Sequence, residues 1–207
     1  MIMIMPEIIH HQYQRTYVTS MCDEDFSKRI IHLDDKIDFD SAIAIEKQIS
    51  YLNTQDTEKE IIIKITSPGG VVQAGMIIVD AIRMSKAPIT CVAVGLVASM
   101  AAIIFAVGDK RIVYPSANIM IHDPLTQGIS GSALEIQEQS QNLMTVRKLT
   151  ARILAERCHK QIKEIYKATG RTTYFSAKQA IEFGRLFFTK PLIYIDNAEL
   201  KTPSEEF

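Results

Sequence analysis

Residues 89–107 decide the fold, and they read ITCVAVGLVASMAAIIFAV. The residues of Ile89–Val94 are apolar or β-branched, which predicts a buried strand. Gly95 is expected to end this strand, and the small and apolar residues of Ala98–Val107 predict a core helix. Because the apolar run Val92–Val107 is shorter than the roughly 20 residues that cross a bilayer and contains Gly95 and Ser99, it indicates a strand and helix in a protein core.

The alternation of strand and helix continues on both sides of this stretch. Further strands are predicted at Arg29–Leu33, Glu60–Ile65, Arg111–Tyr114, Asn118–Ile121 and Leu192–Ile195, and further helices at Asp40–Leu52, Gln73–Met84, Ala133 to about Ala168 with a second piece from near Lys160, and Ser176–Phe183. Asp40 or Ser41 is expected to cap the first of these helices, and Gly184 to lie just past the last. Such alternation predicts an α/β fold with a largely parallel sheet. Residues 1–27 lack clear periodicity, and we expect part of them to be a flexible arm.

Length and composition predict one domain and restrict its partners. The chain has 207 residues and a formal net charge of −1, which argues against nucleic acid or an anionic membrane as a partner. Its three cysteines, Cys22, Cys91 and Cys158, form no CxxC pair, so neither a disulfide framework nor a zinc site is expected, and a reducing cytoplasm fits. The segment Met1–Ile9 lacks a basic region and a long apolar run, so we expect no signal peptide.

Three motifs carry groups suited to catalysis, and each has a structural reading as well. Ser99 lies at the strand-to-helix transition and fits either a nucleophile or a helix N-cap. The turn Ser67–Gly70 fits a tight turn, or a loop whose amides stabilise an oxyanion and bind an extended peptide. His122 follows the apolar strand Asn118–Ile121 and fits a general base or a structural histidine. On a continuing strand Asp123 would point to the opposite face, which argues against it as a partner of His122.

These motifs occur together at a spacing that a known family shares. They read ITSPGG at Ile65–Gly70, AGM at Ala74–Met76 followed by Asp80, ASM at Ala98–Met100, and IMIHDP at Ile119–Pro124. Ser99 lies 30 positions after Gly69. From about Arg29 to Gly184 the chain resembles the Clp protease proteolytic subunit. The resemblance implies an α/β fold of the Clp protease/crotonase type, with repeated β-β-α units plus a long handle helix. It implies one domain over residues 1–207, with an N-terminal arm at 1–27 and a handle region at about 126–168.

The resemblance also implies roles for individual residues. Ser99 matches the nucleophile of a serine peptidase and His122 its general base, while Gly70 and Met100 match the positions whose amides form the oxyanion hole. The loop Thr126–Ser132 and the helix after it match the handle through which two rings of seven subunits meet. Members of the family form barrels of fourteen subunits with internal active sites. A separate AAA+ ATPase uses ATP to feed them unfolded protein, and the subunit itself needs no cofactor and no metal.

The chain departs from the family pattern at four places. Thr172 aligns with the aspartate of the catalytic triad, and threonine can accept a hydrogen bond but carries no charge. The interval from Ser99 to His122 is about two residues shorter than usual, with the deletion in Gly108–Arg111. Lys64 replaces a tyrosine that helps line the ATPase docking pocket. The usual Gly-Leu-[Ile/Val]-Asp ending is replaced by GRLFF from Gly184, and the tail from Phe187 to Phe207 is divergent.

The sequence therefore predicts a serine endopeptidase subunit of an ATP-dependent Clp-type protease, which degrades unfolded proteins to peptides in the cytoplasm. The predicted catalytic residues are Ser99, His122 and Thr172. Because Thr172 stands where the family has the triad aspartate, activity is expected to need a partner subunit. The alternative is a weak or inactive regulatory or structural subunit of a mixed barrel. A crotonase-type acyl-CoA enzyme shares the broad fold but uses no serine nucleophile, so the Ser99 and His122 motifs argue against it. A membrane-linked peptidase of the same superfamily is also open, but the sequence carries no anchor.

Overall fold

A computed structural model of the chain describes residues 7–12, 15–126, 128–184 and 192–194. At the N-terminal end of these residues, strands β1 (Glu7–Gln12) and β2 (Arg15–Ser20) form an antiparallel hairpin. Helix α1 (Met21–Ser27) follows the hairpin.

This N-terminal region is more regular than the sequence predicted. Helix α1 begins with a capping box, in which the Ser20 hydroxyl accepts the amide of Asp23 and the Asp23 carboxylate accepts the amide of Ser20. The N-terminal arm predicted over residues 1–27 thus contains two strands and a helix that the sequence pattern did not indicate. Residues 1–6 lie outside the described part of the chain.

The main sheet of the described chain has seven strands: β3 (Ile30–Leu33), β4 (Ile61–Ser67), β5 (Ile89–Ala98), β6 (Lys110–Val113), β7 (Asn118–Ile121), β8 (Thr173–Ser176) and β9 (Leu192–Tyr194). Strands β3, β4, β5, β6 and β9 are adjacent in that order, and all these pairs are parallel. Strand β5 has two partners along its length, because residues 90–93 pair with β6 and residues 96–98 pair with β7. Strand β8 adds to β7 in the antiparallel direction.

Six more helices pack around this sheet: α2 (Phe39–Gln55), α3 (Val72–Met84), α4 (Met100–Val107), α5 (Ala133–Cys158), α6 (Ile162–Thr169) and α7 (Ala177–Gly184). Every residue of α4 is buried, as expected for a helix that is apolar on all sides. Strand β4 alternates between buried and half-buried residues, whereas the first half of β5 is buried throughout, as is typical of a central parallel strand. The predicted α/β fold and the largely parallel sheet are confirmed.

Four local predictions were wrong. Gly95 does not end β5, which continues to Ala98 with a shift of register because the glycine adopts a φ of +65°. Helix α4 begins at Met100 rather than at Ala98. Asp38, not Asp40 or Ser41, caps α2, because its carboxylate accepts the amide of Ser41. Gly184 is the last residue of α7 rather than the residue after it.

Helix α5 extends beyond the core. Its first half is exposed, and its buried residues all lie in the second half. The long helical stretch predicted from Ala133 is confirmed, and it ends at Cys158 before α6 begins at Ile162. None of the helices among the described residues is long and apolar enough to cross a bilayer.

Candidate active site

Ser99 forms the sharp bend between β5 and α4. Its backbone has a φ of +56° and a ψ of −121°, a conformation that costs free energy in a residue other than glycine. The amide of Ser99 donates to the carbonyl oxygen of Met120 on β7 at 2.8 Å, which fixes the bend to the neighbouring strand. The Ser99 hydroxyl makes no capping hydrogen bond to α4. Ser99 therefore occupies the N-cap position of α4 without capping the helix through its side chain.

His122 lies directly after β7, at the same edge of the sheet as Ser99. Because β5 and β7 run parallel and pair Ala98 with Met120, the residues that follow the two strands lie side by side. The Nε2 atom of His122 lies 2.8 Å from the Oγ atom of Ser99. When Nε2 carries no proton, the serine hydroxyl donates to it, which is the contact that activates a serine nucleophile.

The glycine turn lies against the Ser99 bend. Gly69 has a φ of +89°, and a Cβ atom placed on it would lie 2.6 Å from the carbonyl oxygen of Ala98 and 3.0 Å from the amide nitrogen of Met100. A Cβ on Gly70 would overlap the carbonyl oxygen of Ile37. Only glycine allows the two backbones to approach this closely.

The two amides predicted to form the oxyanion hole belong to Gly70, in the glycine turn, and Met100, directly after Ser99. Met100 is the first residue of α4, where an N–H group has no acceptor within the helix. The turn that holds Gly70 is fixed on both sides, because Ile37 donates to the carbonyl of Gly69 at 3.0 Å and Val71 donates to the carbonyl of Ile37 at 2.9 Å. Preorganised amides of this kind stabilise developing negative charge without reorganisation.

Thr172 lies one residue beyond the pairing of Ile121 with Thr173, so the strand register places it next to His122, but no hydrogen bond joins the two. It is exposed just before β8, and the only hydrogen bond of the His122 ring within the described residues is the one to Ser99. The neighbouring Thr173 donates its hydroxyl to the carbonyl of Ala168, away from the imidazole. The sequence-predicted third catalytic residue is therefore adjacent to the predicted base without a hydrogen bond to it.

The sequence predicted that Asp123 is not a partner of His122, and the two side chains make no hydrogen bond. Its carboxylate accepts hydrogen bonds from Arg147 of α5 and Thr169 of α6, both at 2.6 Å. Sequence reasoning missed Arg147 and Thr169, because nothing in the local pattern links residues so distant in the chain. The only sequence signal was Asp123 itself, because a carboxylate next to the predicted base suggests that a basic side chain lies nearby.

Lys64 lies on β4 in a cluster of charged groups rather than in an aromatic setting. Its Nζ atom is 3.8 Å from the carboxylate of Asp25, which also lies 2.7 Å from Nε2 of His32. The hydrogen bond from His32 holds the pKa of the Asp25 carboxyl below its usual range, with a smaller contribution from the Lys64 charge. On the other side of His32, Nδ1 is 3.3 Å from Asp34. This face of the sheet is therefore polar at the position where the resemblance implies a tyrosine.

The described residues offer no group of three or more histidine, cysteine, aspartate or glutamate side chains that could hold a metal ion. The three cysteines form no disulfide with one another; Cys22 is exposed, Cys91 is buried and Cys158 is half-buried. Burial raises the pKa of the Cys91 thiol to about 12, so it is not a nucleophile at neutral pH.

Two comparisons with known proteins agree with this geometry. The model of the Clp protease family matches residues 13–187. The chain is also 34% identical over 183 residues to the ATP-dependent Clp protease proteolytic subunit of Ligilactobacillus salivarius (strain UCC118), an alignment that covers 87% of this chain and 92% of that protein. A match of this extent cannot come from a shared motif alone, and the chain belongs to the Clp protease family as a Clp-type proteolytic subunit.

Proposed function

We propose that this Clp-type subunit is a serine endopeptidase in which Ser99 is the nucleophile and His122 the general base. The observation that carries the proposal is the 2.8 Å contact between Oγ of Ser99 and Nε2 of His122. The strained backbone of Ser99 supports it, because such strain concentrates at functional sites. The Ser99 hydroxyl also makes no capping hydrogen bond that would explain the presence of a serine at this position.

The reaction follows from the placement of these groups. Nε2 of His122 takes the proton of Ser99 while Oγ attacks the scissile carbonyl carbon, and the amides of Gly70 and Met100 stabilise the oxyanion. The imidazolium then gives its proton to the leaving amine, which releases one peptide and leaves an acyl-enzyme. A water molecule, deprotonated by His122, hydrolyses that ester and regenerates Ser99.

The substrates and partners that we propose follow from membership of the family. The subunit works in a double ring of fourteen subunits, homomeric or mixed, and cleaves unfolded polypeptides delivered by an AAA+ ATPase. Large exposed apolar side chains of α5 support burial in an assembly, because such side chains are costly in water: Leu134, Ile136, Met144 and Leu149. Docking of the ATPase to this subunit is weakened by Lys64, because a desolvated ammonium opposes an apolar contact.

Replacement of the nucleophile tests this proposal. Ser99→Ala is expected to abolish hydrolysis of a fluorogenic peptide, a loss of at least about four orders of magnitude, together with labelling by a fluorophosphonate probe. Ser50→Ala is the matched control, because Ser50 is an exposed serine on α2 that bonds only Glu46. Labelling that persists in Ser99→Ala would refute Ser99 as the nucleophile.

A regulatory or structural subunit without useful catalysis is the second candidate. The exposure of Thr172 and the lack of a hydrogen bond between it and His122 favour it. Covalent labelling separates the two candidates, since a purely structural subunit would not react with the probe either alone or in an assembly with a typical paralogue.

A further inference from the structure

The residue after the predicted base is anchored to two helices. Oδ2 of Asp123 accepts a hydrogen bond from Nε of Arg147 at 2.6 Å, and Oδ1 accepts one from the hydroxyl of Thr169 at 2.6 Å. The Asp123 amide also donates to the Thr169 carbonyl at 2.8 Å. Thr169 is the last residue of α6 and is buried. The backbone directly after His122 is therefore fixed to α5 and α6.

The backbone before His122 is fixed as well. The carbonyl oxygen of Met120 accepts a hydrogen bond from the amide of Ser99, and Ile121 pairs with Thr173 on β8. His122 thus lies between two anchored residues, while its ring has a single hydrogen bond among the described residues, to Ser99. The position of the ring is consequently controlled through the backbone on both sides of it.

Arg147 is suited to anchor Asp123. Its guanidinium carbon lies 4.2 Å from the centroid of the Tyr166 ring, and its side chain is 27% exposed, close to the 28% of Asp123. A charge-assisted hydrogen bond between partly buried groups is about twice as strong as a neutral one. Because the aromatic face already restricts the guanidinium, little further conformational freedom is lost when the ion pair forms.

We propose that Arg147 is a positioning residue, which acts through Asp123 to hold the imidazole of His122 against Ser99. In a serine triad an aspartate orients the ring by direct contact. Here Thr172 makes no such hydrogen bond, and the Asp123–Arg147 pair fixes the base through its backbone instead. This inference rests on the proposed function, because the position of His122 matters for reactivity only if it serves Ser99.

The test compares two ion pairs of the same helix in the full-length protein. Arg147→Gln removes the pair with Asp123, and the matched control Arg83→Gln removes the pair between Arg83 of α3 and Glu156 of α5, which are 3.1 Å apart. We expect fluorophosphonate labelling of Ser99 to slow by about tenfold or more in Arg147→Gln, since a small misplacement of a catalytic group has large effects on rate. Arg83→Gln should stay within about twofold of the wild type, and Arg147→Lys should recover part of the loss.

A second variant guards against loss of folding and tests the pathway. Asp123→Asn keeps the shape of the side chain and the contact with Thr169 but loses the charge partner of Arg147. If both residues act through one interaction, the double variant should label no more slowly than the slower single variant, with thermal unfolding as the check on folding. Losses that simply multiply would overturn the proposed pathway.

The imidazole itself gives a readout that does not depend on catalysis. In protein labelled with ¹³C at histidine Cε1, the His122 signal is assigned by its absence in His122→Ala. We expect this signal and its pH titration to change in Arg147→Gln and not in Arg83→Gln. If the wild type reacts with the probe and Arg147→Gln reacts equally fast, the inference is overturned and the proposed function stands. If the wild type never reacts, the proposed function fails, and the His122 signal alone decides whether Arg147 positions the ring.

Discussion

At the scale of single residues, the two nitrogens of His122 differ in their surroundings. Nε2 meets Ser99 at 2.8 Å, whereas Nδ1 has no acceptor among the residues that the structure describes. An imidazolium that forms during the reaction would therefore lack the negative charge that stabilises it in a complete triad. We therefore expect the isolated subunit to be weakly active, because this carboxylate is missing.

Restoring the carboxylate should raise turnover. Thr172→Asp is expected to increase kcat for a fluorogenic peptide by about tenfold or more, because loss of the corresponding charge in another serine protease cost about 10⁴. Thr172→Asn is the control, since it has a similar shape without the charge. If the asparagine variant gains as much as the aspartate variant, or neither gains, a missing charge is not what limits the rate.

At the scale of elements, the site depends on two bends that touch each other. The bend between β5 and α4 carries Ser99, and the turn after β4 brings Gly69 against it. Both bends follow parallel strands of one sheet, so they meet at the same edge. The geometry of the site is therefore sensitive to backbone volume at Gly69 as well as to the catalytic side chains.

A methyl group at Gly69 should damage the site. Gly69→Ala places a Cβ 2.6 Å from the carbonyl of Ala98 at a φ of +89°, so we expect it to slow probe labelling of Ser99 by about tenfold or more through displacement of the bend. Gly128→Ala is the matched control, because Gly128 also has a positive φ, of +67°, but an added Cβ meets open space. Equal labelling rates for the two variants would show that close approach at Gly69 does not matter for the site.

At the scale of the whole molecule, the described fold leaves apolar side chains without cover. The exposed half of α5 carries Leu134 and Met144, which are 64% and 56% exposed. In the proposed double ring this half of the helix is buried against other subunits, which makes the stability of the subunit depend on its assembly. The polar cluster around Lys64 distinguishes its surface from that of a typical subunit.

A mixed assembly should be more active than this chain alone. We expect co-assembly with a typical Clp paralogue, checked by sedimentation, to raise peptide hydrolysis severalfold above the sum of the separate proteins, because a partner orders a site that lacks a triad residue. Co-assembly with the Ser99→Ala variant is the control that reveals the contribution of this subunit. Full activity of the lone protein would contradict the dependence on a partner.

The sequence by itself determined the α/β fold, most element positions, the motifs around Ser99 and His122, and the family. These follow from local patterns, such as the apolar run of β5 and the glycines of the turn, which strand and helix geometry convert directly into structure. Only the tertiary structure decided that Ser99 makes a hydrogen bond to His122, that Thr172 makes none, and that Arg147 anchors Asp123. The tertiary structure also showed that residues 173–176 form strand β8, a short segment that is ordered by its pairing with β7. The physical reason is that such contacts join residues far apart in the chain, and their geometry is set by strand order and helix packing rather than by spacing in sequence.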